Sequence, residues 1–189
     1  MRHKYETLGI VLARTHVGEA TTLVTVLTPE IGLVRARAQS LRKSGAKLAP
    51  ALGTLCESST VLVRGKEGWR VTGAVLEENW FSKLPNVAAQ EVVVRVSGLL
   101  LRLVAGEAQD TKLFFIMKGF LHALTEFSEE QYEAIEIIAV LRILAALGLD
   151  AGEVPGETSV FTEEVLVIVR EQRMTYIARI NSGITASGL

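Results

Sequence analysis

Gly32-Leu33-Val34-Arg35-Ala36-Arg37-Ala38-Gln39-Ser40-Leu41-Arg42-Lys43-Ser44-Gly45-Ala46-Lys47-Leu48-Ala49-Pro50-Ala51-Leu52 is the stretch on which the reading of this chain turns. Leu33, Arg35, Arg37 and Gln39 fall on one side of an extended chain, and Val34, Ala36 and Ala38 on the other. A period of two marks a half-buried strand. The strand runs into a loop carrying Arg42, Lys43, Ser44, Gly45 and Lys47. No acid interrupts the basic residues between Arg35 and Lys47. Guanidinium and ammonium groups on a sheet face and a flexible loop suit a phosphate backbone, because they displace its condensed counterions. A solvated sheet face with a merely polar loop is the plainer reading of the same residues.

Outward from this stretch, short strands follow one another. Thr7 to Arg14 is predicted as the first, with Leu8, Ile10 and Leu12 on one face, and His16-Val17-Gly18-Glu19 as a turn. Thr21 to Thr28 is the second, closed by the turn Pro29-Glu30-Ile31-Gly32, where proline presets φ and glycine ends the turn. The basic strand, Leu33 to Gln39, is the third. Strand four spans about Thr54 to Arg64, and Gly65-Lys66-Glu67-Gly68 turns it into strand five, Trp69 to Glu77. Five short strands in so few residues imply a small closed barrel, most simply an OB-fold, with an SH3-like barrel as the rival.

The pattern changes after Trp80. Pro85 opens a helix over about Asn86 to Ala105, with Val93, Val96, Leu100, Leu103 and Val104 as core candidates and Gly106 as its stop. Asp110 caps a second helix, Thr111 to Glu126. Ser128-Glu129-Glu130-Gln131 has the form of a capping box and opens a third, ending near Leu147. Asp150 to Ser159 reads as a loop, and Glu163 to Ile180 as a last helix, although Val165 to Val169 is β-branched enough for a strand. The expected architecture is α+β: a five-stranded OB-fold barrel over residues 1–80 as the DNA-binding domain, then a helical bundle over 81–189 with a frayed tail at 181–189.

Charge divides the same way. The whole chain carries −1, but residues 1–80 hold eleven Lys and Arg against seven Asp and Glu, and residues 81–189 hold nine against fourteen. A basic front and an acidic back point to different partners for the two parts. The single cysteine, Cys56, excludes an internal disulfide and a Cys-rich zinc site, and His3, His16 and His122 show no ligand spacing. Neither a metal nor another cofactor is expected. No run of about 18 apolar residues predicts a membrane span. The polar start, Met1 to Glu6, lacks the apolar core of a signal peptide, so a soluble cytoplasmic protein is expected.

Catalysis needs placed acids, bases, nucleophiles or a metal. Walker and Rossmann glycine loops are missing, and Ser58 and Ser59 are not in a nucleophile elbow. Glu129, Glu130, Glu133 and Glu136 read as an exposed helix face. Trp69, beside Arg64, Lys66 and Arg70, suits strand packing or, alternatively, stacking on a base.

Several short motifs agree in spacing with one family. Gly9-Ile10-Val11-Leu12-Ala13-Arg14, Gly18-Glu19-Ala20, the run from Val26 to Ala38, and Leu48-Ala49-Pro50-Ala51-Leu52 resemble the DNA repair protein RecO family over about residues 5–78. The resemblance implies an N-terminal OB-fold, a helical C-terminal domain and no catalysis. It implies binding of single- and double-stranded DNA, strand annealing, and loading of RecA with a RecR-like partner onto strands coated by single-strand binding protein (SSB), whose C-terminal tail such proteins contact. It implies a nucleoid-associated place in the cytoplasm. Carried over, Arg35, Arg37, Arg42, Lys43 and Lys47 form the DNA surface, with Arg14, Arg64, Lys66 and Arg70 beside it. Lys112 and Lys118, near Phe114, Phe115 and Phe120, are the candidates for clamping the tail, although they lie about 240° apart on the helical wheel. Lysines as solvated charges and phenylalanines as core are the alternative there. Many family members carry a four-cysteine zinc module in the helical part. This sequence resembles a short form without it.

Overall fold

The computed structural model describes residues 3–17, 20–39, 41, 46–104 and 110–189. The chain divides into two compact units, Met1–Lys83 with Gly106–Phe114, and Leu84–Ala105 with Phe115–Leu189.

The first unit is a closed barrel of five strands: β1 (His3–Val17), β2 (Thr21–Thr28), β3 (Gly32–Gln39), β4 (Cys56–Gly65) and β5 (Gly68–Asn79). Their order around the barrel is β1-β2-β3-β5-β4. All pairs are antiparallel except β3–β5, which closes the barrel in parallel at Ala36↔Trp69 and Arg37↔Arg70. This is the OB-fold, and the SH3-like alternative falls away. A short helix, α1 (Trp80–Lys83), follows β5.

Alternation in β3 is as the sequence reads. Val34, Ala36 and Ala38 are fully buried in the barrel core beside Val11, Val24, Val26, Leu62, Trp69 and Val71. Arg35, Arg37 and Gln39 are exposed on the outside. Leu33, on the arginine side, is nevertheless fully buried. Burying this aliphatic set supplies most of the barrel's stability, about 1.5–3 kcal/mol for each large side chain.

Strand β1 is longer at both ends than the sequence predicts. It takes in His16, whose Nδ1 lies 3.2 Å from Thr22 Oγ1, because the β1–β2 ladder continues to Val17↔Thr21. Its core-facing residue is Val11; of the expected face, Ile10 and Leu12 are buried as well, while Leu8 is exposed. A bulge between Val11 and Ala13 shifts the register, which simple alternation does not anticipate.

The second unit is helical, with α2 (Val87–Leu103), α4 (Tyr132–Ala146), α5 (Glu163–Glu171) and α6 (Arg173–Ala186). Helix α3 (Lys112–Glu126) belongs to it from Phe115 onward. Helix α2 starts at Val87, not at Pro85 as expected, because Asn86 is extended and caps it by accepting from Ala89 N at 2.8 Å. Ser128 N donates to Gln131 Oε1 at 3.1 Å, one arm of the expected capping box. Helix α4 is the centre of the bundle, its run from Ala139 to Leu144 entirely buried. The β-branched segment Val165 to Val169 is helical, with Thr162 accepting from Val165 N. The expected single last helix is instead two, α5 and α6, broken at Gln172. The expected frayed tail is mostly helix, since α6 runs to Ala186. Thr185 Oγ1 donates to Asn181 O, and Gly183 packs closely against Leu144 and Leu149.

Candidate nucleic-acid interface

Register builds the candidate interface. The β1–β4, β4–β5, β5–β3 and β3–β2 pairings join Lys4, Val63, Arg70, Arg37 and Leu23 into one rung across the barrel. Lys4, Arg70 and Arg37 are all exposed along it. Arg35 is exposed two residues back on β3, about 6.8 Å from Arg37 along the strand. That spacing matches the axial rise of about two nucleotides on one strand. Three basic side chains from three strands thus share one outer face, and only two of them, Arg37 and Arg70, stand among the candidates read from sequence. Lys4 escapes that reading because its place depends on barrel closure.

The β4–β5 turn overhangs this rung. Gly65 pairs with Gly68, leaving Lys66 and Glu67 at the tip. Gly68 has φ +94°, a left-handed value that favours glycine and fits a hairpin ending in a glycine bulge. The turn and its strands line a concavity of about 820 Å³ that includes Arg64, Lys66, Glu67 and Arg70. Glu67 Oε2 lies 3.4 Å from Arg37 Nη1 and 3.3 Å from Arg70 Nη2, so one carboxylate serves two guanidinium groups. Arg37 Nη1 also donates to Glu67 O at 3.2 Å. Lys4 Nζ donates to Glu6 Oε1 at 2.5 Å and holds that carboxyl below its usual range.

Other sequence candidates are placed apart or lie outside the described residues. Arg42 and Lys43 fall outside them. Lys47 is exposed in the segment between β3 and β4. Arg14 is half-buried and pairs with the core residue Val24, so it does not share the Arg35 and Arg37 face. Arg64 stands with its guanidinium carbon 5.4 Å from the Trp69 ring centre. Trp69 itself is 3% exposed, so it packs in the barrel and cannot stack on a base.

Cys56 is buried at the start of β4, where burial pushes its thiol up and Sγ donates to Pro50 O. Among the described residues, no three His, Cys, Asp or Glu side chains gather as metal ligands would, and no helix is long and apolar enough to cross a membrane.

On α3, Lys112 and Phe115 are exposed, Lys118 is half-buried and Phe114 is 1% exposed. Phe114 is therefore core and drops out as a contact for a partner. Phe115 and Lys118, spaced i and i+3, share a helix face in the second unit. A concavity of about 410 Å³ lies further along α3, lined by Gly119, His122, Ala123 and the Ser159–Phe161 segment.

Barrel order, basic outer rung and appended helices define an OB-fold protein with a separate helical unit. Residues 1–79 match the family described as "Recombination protein O N terminal". The chain is 28% identical over 129 residues to DNA repair protein RecO of Dehalococcoides mccartyi, covering 68% of this chain and 51% of that protein. It is 29% identical over 153 residues to DNA repair protein RecO of Synechocystis, covering 79% and 55%, and 22% identical over 145 residues to that of Acetivibrio thermocellus, covering 76% and 57%. The chain is therefore similar to the RecO family, and the relatives it resembles here are DNA repair proteins. It spans about half the length of the curated relatives it matches.

Proposed function

We propose that this chain is a non-catalytic recombination mediator that binds DNA through the outer face of β3 and β5. The observation that carries the reading is the rung that brings Lys4, Arg70 and Arg37 together, extended by Arg35. Phosphates would replace Glu67 as the partner of Arg37 and Arg70, and the exchange releases condensed counterions. Lys66, in the concavity beside Arg70, extends the positive surface, and Arg42, Lys43 and Lys47 follow β3 in sequence. Contacts limited to the backbone read no sequence, which suits a protein that must act wherever strands are damaged. Neutralising phosphates on two strands at once lowers their repulsion and favours annealing.

The wider role, loading RecA onto SSB-coated single strands with a RecR-like partner, is carried over from the resemblance to RecO and rests on the same DNA surface. The SSB tail is acidic and apolar, and Phe115 beside Lys118 offers it an aromatic face and a cation on α3. The competing reading, an OB-fold adaptor that binds only protein, makes the opposite prediction about salt. A gel-shift with a single-stranded oligonucleotide at two salt concentrations tests the choice. Binding that weakens steeply with salt is expected. Absence of binding at low salt would return the chain to the adaptor class.

A further inference from the structure

We propose that Tyr5 is a base-stacking platform at the end of the barrel, giving the chain a subsite for an unpaired nucleobase. The inference rests on the DNA-binding reading and adds to it a way of telling single strands from duplex.

Tyr5 follows Lys4 in β1, so its side chain lies on the opposite face from the basic rung, and it pairs with the core residue Leu62 of β4. It is 39% exposed, unusual for an aromatic on the register of a fully buried core residue. Its ring meets Trp69 edge to face, with centres 5.2 Å apart and planes at 64°. An edge contact fixes a ring without covering it. Trp69 is held in turn by its place in the core and by its strand pairings, Ala36↔Trp69 and Arg64↔Trp69. The Tyr5 ring is therefore oriented by a buried neighbour while part of it stays open to solvent.

Its surroundings fit a nucleotide. Arg64, on the Trp69 side of the sheet, carries positive charge against that ring and lines one concavity with Lys66 and Arg70 at the β4–β5 turn. A backbone that follows Arg37 and Arg70 and then turns over the β4–β5 rim would reach the tyrosine beside Arg64. Every base has a π-face, so stacking tolerates any sequence, as a backbone-binding surface requires. In a duplex the bases are already stacked on one another and cannot reach the ring. The platform therefore adds affinity for single strands only.

The test uses the full chain with two labelled probes, an oligothymidine of about 16 nucleotides and a duplex of the same length. Tyr5→Ala should weaken single-strand binding by about fivefold or more, the effect of removing a stacking aromatic, with duplex binding within about twofold. The salt slope should stay unchanged, because stacking releases no counterion. Tyr5→Phe should retain single-strand affinity. Tyr5→Trp should retain it too, with fluorescence quenched by the single strand and not by the duplex, a readout that survives if the alanine variant folds poorly. Unchanged single-strand affinity in Tyr5→Ala, or no selective quenching in Tyr5→Trp, overturns the platform and leaves the basic face standing. Wild-type protein that binds neither probe overturns the DNA reading and the platform together.

Discussion

Replacing Arg35 and Arg37 together by alanine removes two exposed charges without touching the barrel core. Their neighbours on the inner side, Val34, Ala36 and Ala38, are fully buried and keep their packing. Exposed substitutions of this kind change stability by about 0.5 kcal/mol or less, so the variant should fold. On single strands each phosphate contact contributes about 0.7 to the slope of log affinity against log salt. Two contacts contribute about 1.4, and on duplex, at about 0.9 each, about 1.8. Between about 50 and about 200 mM salt, wild type should then lose about sevenfold more single-strand affinity than the variant, and about twelvefold more on duplex. Glu67 reduces the first figure, because it already partners Arg37 at 3.4 Å and must be displaced. The expected loss of slope therefore lies between one contact and two, about 0.7 to 1.4. Fluorescence anisotropy at four salt concentrations measures it. A variant with the wild-type slope would show that β3 makes no phosphate contact, whatever its affinity.

Three further outcomes follow from the same structure. Glu67→Gln should strengthen DNA binding about two- to threefold at low salt, as expected for freeing exposed arginines from one carboxylate, and anisotropy titration would reveal unchanged affinity if the ion pairs are inert. Arg142 is 3% exposed, donates Nη2 to Pro155 O at 3.1 Å, and leaves Nε and Nη1 without partners, while burial pulls its guanidinium down to about 10. Its contact with the Phe161 ring, at 4.6 Å, offsets only part of that cost, so Arg142→Met should leave stability unchanged or raise it by about 1–4 kcal/mol in urea unfolding; a loss above about 2 kcal/mol would contradict this. Gly119→Ala should destabilise the protein by about 1–3 kcal/mol, because the new methyl would stand 2.0 Å from Ser159 O, and an unchanged melting temperature would mean that the Ser159 segment moves aside at no cost.

The barrel strands, the alternation that turns Arg35 and Arg37 outward, and the change to helix after Trp80 were legible in the sequence alone. These are local properties: a period of two, turn residues such as Gly32 and Gly68, and the Ser128 capping box are each written within a few positions. The sequence also carried the family motifs that residues 1–79 share with RecO. The bulge after Val11 and the break at Gln172 were not legible, because both depend on what the chain packs against. Nor was the composition of the candidate face. Lys4 and Arg70 lie 66 positions apart, and only closure of the barrel through β4 puts them on one rung with Arg37. The same closure buried Trp69, which sequence alone leaves open to a base, and left Tyr5 exposed at its edge. Which aromatic meets solvent is set by the register of non-neighbouring strands, and that register exists only in the folded barrel.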